Sequence, residues 1–208
     1  PKSYHDDIKY CQNMEVDFIF IPESEDIIID LDVWVYENKL SKLLCGKSRP
    51  GHFQGVCTIV LKLFNIVQPQ IAIFGEKDLQ QLRIIQKMVL DLNIPINIIS
   101  CPIHREPDGL ALSSRNKLIS KKAINKSGII FETLLFVKNN FVKNSYKQLI
   151  KNVKQKIEDI SNFKLEYFEI RESETLNPYD EKNKKKSYRA FICVKVEGIR
   201  LIDNLLIN

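Results

Sequence analysis

Along residues 56–67 the apolar side chains Val56, Ile59, Val60, Leu63, Phe64 and Val67 recur at three- and four-residue spacings. This is the period of a helix with one face on a core. Past Pro69, the run Ile71 to Phe74 has the length and β-propensity of a buried parallel strand. It stops at Gly75, and Leu82, Ile85, Val89 and Leu92 then mark a second amphipathic helix ending near Asn93. Ile96 to Pro102 reads as the next strand. Strand, helix and strand within about thirty residues make a βαβ unit and hence a parallel sheet. Ligands of such sheets sit beyond the carboxyl ends of the strands. Gly75 and the loop after Pro102 both lie at such ends.

Upstream, the pattern predicts a short helix over Asp6 to Asn13 and a buried strand over Val16 to Ile21 closed by Pro22. It also predicts an extended segment over Leu31 to Tyr36 and a short helix from Leu40 to Leu44 that Gly46 terminates. Beyond Asn116 the character changes. Ser120 to Lys138 and Tyr146 to Ile160 read as helices. Lys164 to Glu172, Tyr188 to Val196 and Arg200 to Asn204, the last after a Glu197-Gly198 turn, read as short antiparallel strands. The expected fold class is therefore α/β, a parallel sheet over residues 1–116 followed by a smaller α+β domain over residues 117–208. Pro178 to Ser187, with Lys182, Lys184, Lys185 and Lys186, is expected to be an exposed loop.

Composition narrows the class. At 208 residues and 44% hydrophobic content the chain can bury a core, and a net charge of +5 spread among charges of both signs is a modest excess. The lysines near residue 184 lie beside Asp180 and Glu181 without interleaved aromatic residues, so we expect a solvated loop and no nucleic-acid partner. No apolar run approaches the ~18 residues of a spanning helix, so no membrane partner is expected. Five cysteines without a Cys-x-x-Cys pair read as reduced thiols of a cytoplasmic protein. His5, His52 and His104 have no metal-ligand spacing, and His52, in a Pro-Gly loop, reads as structural.

The candidate chemistry sits in two loops. In Gly75-Glu76-Lys77-Asp78, glycine admits a tight turn and close ligand approach, Lys77 adds a cation, and Asp78 is placed to cap the next helix. Exposed helix N–H groups there favour a phosphate. The second loop carries Ser113-Ser114-Arg115, two hydroxyls beside a guanidinium that can grip phosphate oxygens. Gln81, in the first helical turn, could contact an acceptor substrate next to the phosphate.

Longer motifs give these residues a context. Arg49 to Val56 (RPGHFQGV), Lys62 to Pro69 (KLFNIVQP), Phe74 to Asp78 with Gln80-Gln81, and Asp108 to Asn116 (DGLALSSRN) together resemble the pantothenate synthetase, or pantoate–β-alanine ligase, family. Thr175-Leu176 and Arg200 to Asn204 resemble that family's closing strands.

The resemblance implies a Rossmann-like domain and a C-terminal lid in a homodimer. It implies a reaction in which pantoate attacks Mg-ATP to give pantoyl adenylate, and β-alanine then displaces AMP. By the same resemblance Gly75, Glu76, Lys77, Asp78, His104, Leu112, Ser113, Ser114 and Arg115 would bind ATP, with Mg²⁺ arriving on the nucleotide. His104 would serve through its main chain, Gln81 and Arg49 would serve pantoate, and Lys77 and Arg115 would offset charge on the reacting phosphates.

The family's His-x-Gly-His motif and first strand have no counterpart in this sequence, which opens on Pro1. We therefore expect roughly eighty residues to be missing, on the ordinary scale of a domain. We also expect sheet edges and apolar helix faces left open, with poor solubility of residues 1–208 alone. The alternatives are an inactive nucleotide-binding remnant and a different nucleotidylyl transferase.

Overall fold

In the computed structural model, which describes residues 4–28, 30–181, 183 and 186–208, the expected first helix is α1 (Tyr4–Asn13). Val16 to Ile21 is not a strand, and Phe18 stands 93% exposed. No strand lies beside it among the described residues, and a strand without a ladder partner leaves its amides to water. A short α2 (Ser24–Ile28) follows. Leu31 to Tyr36 is likewise unlaced, although the Val35 N–H donates to Thr58 Oγ1 at 3.0 Å.

The expected helix over Leu40 to Leu44 is instead a 3₁₀ turn, Leu40–Lys42, and a separate α3 (Cys45–Ser48). Gly46 lies inside α3 and does not end a helix. Its lack of a side chain matters because an added Cβ would sit 1.7 Å from the Ser41 carbonyl oxygen. Gln80 pins this loop from below: buried, it accepts from the Cys45 N–H at 3.0 Å and donates to the Leu40 and Leu43 carbonyls at 2.8 and 2.7 Å. Gly46→Ala is expected to cost about 3 kcal/mol through overpacking against backbone. Urea unfolding reads the loss, and a change within about 0.5 kcal/mol would refute the close approach.

α4 (His52–Val67) is the expected core helix, but its buried face differs from the predicted stripe. Phe53, Cys57, Thr58 and Phe64 are buried while Val67 is exposed. The helix is apolar around most of its circumference, so periodicity alone could not select the face. β1 (Ile71–Gly75) pairs in parallel with β2 (Asn97–Cys101), Ile71 opposite Asn97 and Gly75 opposite Cys101. Between them runs α5 (Leu79–Asp91), whose Leu82, Ile84, Ile85 and Met88 are buried. β1 is not buried on both faces: Ala72 and Phe74 pack on the α4–α5 core, but Ile71 and Ile73 are 52% and 68% exposed.

The predicted helix over Ser120 to Lys138 is interrupted, giving α6 (Lys121–Ile124) and α7 (Ile129–Asn140). Gly128 lies between them, and a Cβ there would come within 2.8 Å of the Asp108 carbonyl. α8 (Tyr146–Glu158) begins at Ser145, whose side chain accepts from the Gln148 N–H. The three expected strands form one antiparallel sheet, β3 (Phe163–Glu172), β4 (Tyr188–Val196) and β5 (Ile199–Leu206), in that order. Glu197 and Gly198, at φ of 50° and 82°, close the β4–β5 hairpin with the left-handed pair that a tight two-residue turn requires. α7 and α8 cover this sheet through Leu134, Val137, Val153 and Ile157. In the expected lysine loop, Lys182, Lys184 and Lys185 lie outside the described residues, while Lys186 pairs with Glu172 at 3.1 Å.

The two sheets meet along an apolar seam. Leu44, Leu79 and Leu82 pack with Leu176 and Phe191, while Tyr167 and Ile202 also reach the α4–α5 core. The seam sets β5 beside the carboxyl end of β1.

Candidate active site

A cleft of about 220 Å³ opens at this junction. Lys77, Asp78 and Gln81 enter it from the start of α5, and Arg49 enters from the residue after α3. Ser113, Ser114 and Arg115 enter from the loop after β2. Three stretches far apart in the chain thus bring their expected site residues to one space.

Four other expected site residues do not line it. Gly75 and Glu76 stay at the end of β1. The Glu76 carboxylate accepts from Arg189 Nη2 at 2.9 Å and from Ser100 Oγ at 3.3 Å, so it already has partners. His104 is exposed and its carbonyl accepts from the Leu112 N–H at 2.9 Å, a tie that shapes the loop. Leu112 itself is 40% exposed beside the cleft lining.

Two local expectations change. Asp78 makes no side-chain capping bond, because a 3₁₀ turn over Glu76–Asp78 precedes α5 and the carboxylate lies toward Lys77 Nζ at 3.5 Å. Gly75 has φ −72° and ψ 134°, an extended conformation open to any residue, so no glycine-specific turn is used.

The cleft is strongly cationic. His52 also lines it, and its Nε2 accepts from Arg49 Nη1 at 2.7 Å, since a guanidinium can only donate. Burial first, then Arg49, Arg115 and Arg200, push its pKa below the ordinary histidine value, so the imidazole is neutral at neutral pH with Nδ1–H as a donor. Burial and the neighbouring Arg115 and Arg200 likewise lower Arg49. Arg115 is oriented by its own N–H on Ser113 Oγ at 3.2 Å and by Nη1 on the Arg200 carbonyl at 3.3 Å.

The sequence does not mark Arg200 as a site residue, because nothing local to β5 shows that it faces a cleft built by residues 49–115. It lines the cleft and is held by Glu166 at 2.8 Å and Ser48 Oγ at 3.2 Å. Burial alone would raise the Glu166 pKa, but hydrogen bonds from Arg200 and Ser48 outweigh it and hold the carboxyl at about 2, below its ordinary 4.5. A depressed folded-state pKa contributes stability above the unfolded value, and that stability is lost as pH falls from 4.5 toward 2. After discounting for solvent screening, the contribution is about 2 kcal/mol. The stability gap between wild type and Glu166→Gln is expected to be full near neutral pH and to close through this acid window. A gap independent of pH would refute the assignment.

All five cysteines are free. Burial pushes Cys57 and Cys193 up to about 11 and 12, which keeps both thiols protonated at neutral pH. Among the described residues, no three His, Cys, Asp or Glu side chains gather as a metal site. No helix of the described residues is long and apolar enough to cross a membrane.

A family model described as pantoate-beta-alanine ligase matches residues 1–206. A pantothenate synthetase of Sulfurihydrogenibium sp. (strain YO3AOP1) is 43% identical over 215 residues, spanning 99% of this chain and 74% of that protein. One from Thermotoga petrophila is 42% identical over 212 residues, spanning 100% and 75%. Among solved structures, pantothenate synthetase from Thermus thermophilus superposes with a TM-score of 0.91 at 35% identity, covering 100% of this chain and 75% of that one. Pantoate-beta-alanine ligase from Francisella tularensis, complexed with beta-gamma ATP and beta-alanine, superposes at 0.78 with 33% identity, covering 99% and 70%.

Proposed function

The chain belongs to the pantoate–β-alanine ligase family, and from that premise we propose that it condenses pantoate with β-alanine through a pantoyl adenylate. In the first step a pantoate carboxylate oxygen attacks the α-phosphorus of ATP, forming the acyl–phosphate bond and expelling pyrophosphate. In the second step the β-alanine amine attacks the acyl carbon, forming the amide, losing a proton and expelling AMP. The observation that carries this reading is the convergence of Lys77 and Gln81, from the start of α5, with Ser114 and Arg115, from the loop after β2, on one cationic cleft at the end of β1.

Attack at phosphorus needs positioning and charge stabilisation more than a protein nucleophile. Lys77 and Arg115 supply cationic charge, Ser113 and Ser114 supply hydroxyl donors, and Gln81 and Arg49 hold the pantoate side. We assign residues 117–208 as the lid that carries Arg200 over the cleft. Mg²⁺ enters as part of the nucleotide substrate, held chiefly by phosphate oxygens. The family resemblance also carries the expectation of a cytoplasmic homodimer, which sedimentation tests.

The deciding experiment uses pantoate labelled with heavy oxygen in its carboxylate. One labelled oxygen is expected in AMP, with AMP release dependent on both pantoate and β-alanine. Label in free phosphate with ADP as product, or AMP release indifferent to β-alanine, would overturn the reading.

A further inference from the structure

The turn that carries Lys77 lacks the usual local anchors. Neither Gly75, at the start of its 3₁₀ turn, nor Asp78, at the start of α5, makes a side-chain capping bond. The anchor comes from β5, more than a hundred residues away. Asn204 Nδ2 donates to the Glu76 carbonyl at 2.8 Å and to the Lys77 carbonyl at 3.1 Å. Its Oδ1 accepts from Arg189 Nη1 at 2.6 Å, and Arg189 Nη2 donates in turn to Glu76 Oε2 at 2.9 Å. Asn204 is 1% exposed. Arg189 can only donate, so it fixes which end of the amide faces it and forces the NH₂ toward the two carbonyls. A carboxamide alone among side chains of this length offers two donors one way and an acceptor the other.

We propose that Asn204 is a positioning residue for the nucleotide chemistry, acting through Lys77: the ring of Asn204, Arg189 and Glu76 holds the turn so that the ammonium meets the phosphates. The proposal rests on the adenylation reading above for what Lys77 does. It also accounts for Glu76, which the ring holds away from the cleft lining. Misplacing a catalytic group by about 1 Å costs on the order of 100-fold in rate, so a loosened turn should act on turnover more than on substrate affinity. A merely structural asparagine would lower the melting temperature and leave the turnover of the folded protein intact.

A double-mutant cycle separates the two. Asn204→Asp keeps the acceptor for Arg189 and removes both donors to the turn. It is expected to lower kcat about 30- to 100-fold while KM for pantoate stays within about twofold. In a Lys77→Ala background the same substitution should change kcat by less than about threefold, because the group it positions is already gone. Arg189→Met, which leaves Asn204 in the chain but removes the donor that orients its amide, provides a second arm should Asn204→Asp fold poorly. Its expected kcat loss is about 5- to 10-fold, again vanishing with Lys77→Ala. Affinity for a non-hydrolysable ATP analogue is measured on the same proteins by calorimetry.

Equal losses in both backgrounds, or unchanged kcat with a lowered melting temperature, would overturn the proposal while leaving the reaction intact. Coupling between residues 77 and 204 in analogue affinity, in a wild type that forms no pantothenate, would support the positioning and overturn the reaction. A wild type that binds no ATP would overturn both.

Discussion

Lys77→Ala is expected to lower kcat by about 10²- to 10³-fold, equivalent to about 2.7 to 4 kcal/mol of transition-state stabilisation, with a much smaller rise in KM for ATP. Of the other cations of the cleft, Arg200 is paired with Glu166, while Arg49 and Arg115 keep their charge but spend a donor on His52 and on the Arg200 carbonyl. Among the described residues the ion-pair partner of Lys77 is Asp78 Oδ2 at 3.5 Å, a long contact to a carboxylate that is itself 49% exposed, and Asp203 adds a Coulombic attraction without a bond. A pairing of that kind is worth little in water, so under the proposed adenylation the ammonium is available to phosphate. Burial of the side chain to 19% exposure strengthens its field at the site. Lys77→Arg is expected to restore little, because a broad planar fork cannot occupy the place of a compact ammonium. Steady-state kinetics with each substrate varied checks this. A kcat within about threefold of wild type for Lys77→Ala would remove Lys77 from the chemistry.

The largest expected effect on stability is at Asp203. The residue is 4% exposed, and its carboxylate receives both Arg105 nitrogens, Nη1 at 2.7 Å and Nη2 at 2.9 Å. Burial raises its pKa above the ordinary carboxylate value, and the Arg105 contacts oppose that rise. Arg105 in turn donates to the Gly109 carbonyl at 3.0 Å and lies 3.9 Å from the centre of the Phe131 ring. Asp203→Ala leaves this guanidinium without its counter-ion, so unfolding free energy should fall by about 3 to 5 kcal/mol. For a chain of this size that is a drop in Tm of roughly 10 °C. Replacing both partners with apolar residues of similar volume should cost much less, since the main penalty is the stranded charge. If the double replacement is as damaging as Asp203→Ala, shape and not charge governs the site. The pair also matters for function, because it ties β5 to the loop whose Arg105–Ala111 bridge leads into Ser113 to Arg115.

Much of this was legible where the physics is local. Ile71 to Gly75, the helix after it and the parallel strand at Asn97 follow from apolar runs and their breaks. The β4–β5 hairpin follows from Glu197-Gly198, because few residue pairs accept two consecutive left-handed conformations. Val16 to Ile21 was illegible for the converse reason: its apolar residues describe a strand, but a strand exists only when another backbone takes its amides. Gly46 resembled a helix terminator, and only the approach of the Ser41 carbonyl reveals its role.

The candidate site divides the same way. By itself the sequence determined the two loops, their residues and the family they resemble, because those signals lie within a few residues of one another. Only the tertiary structure decided that His52 and Arg200 share the cleft, that Glu76 turns away to Arg189, and that Asn204 holds the turn of Lys77. Those facts depend on which parts of the two sheets meet along the seam. Sequence spacing does not carry that information, because the contacts cross a hundred or more residues and are set by side-chain packing at the junction.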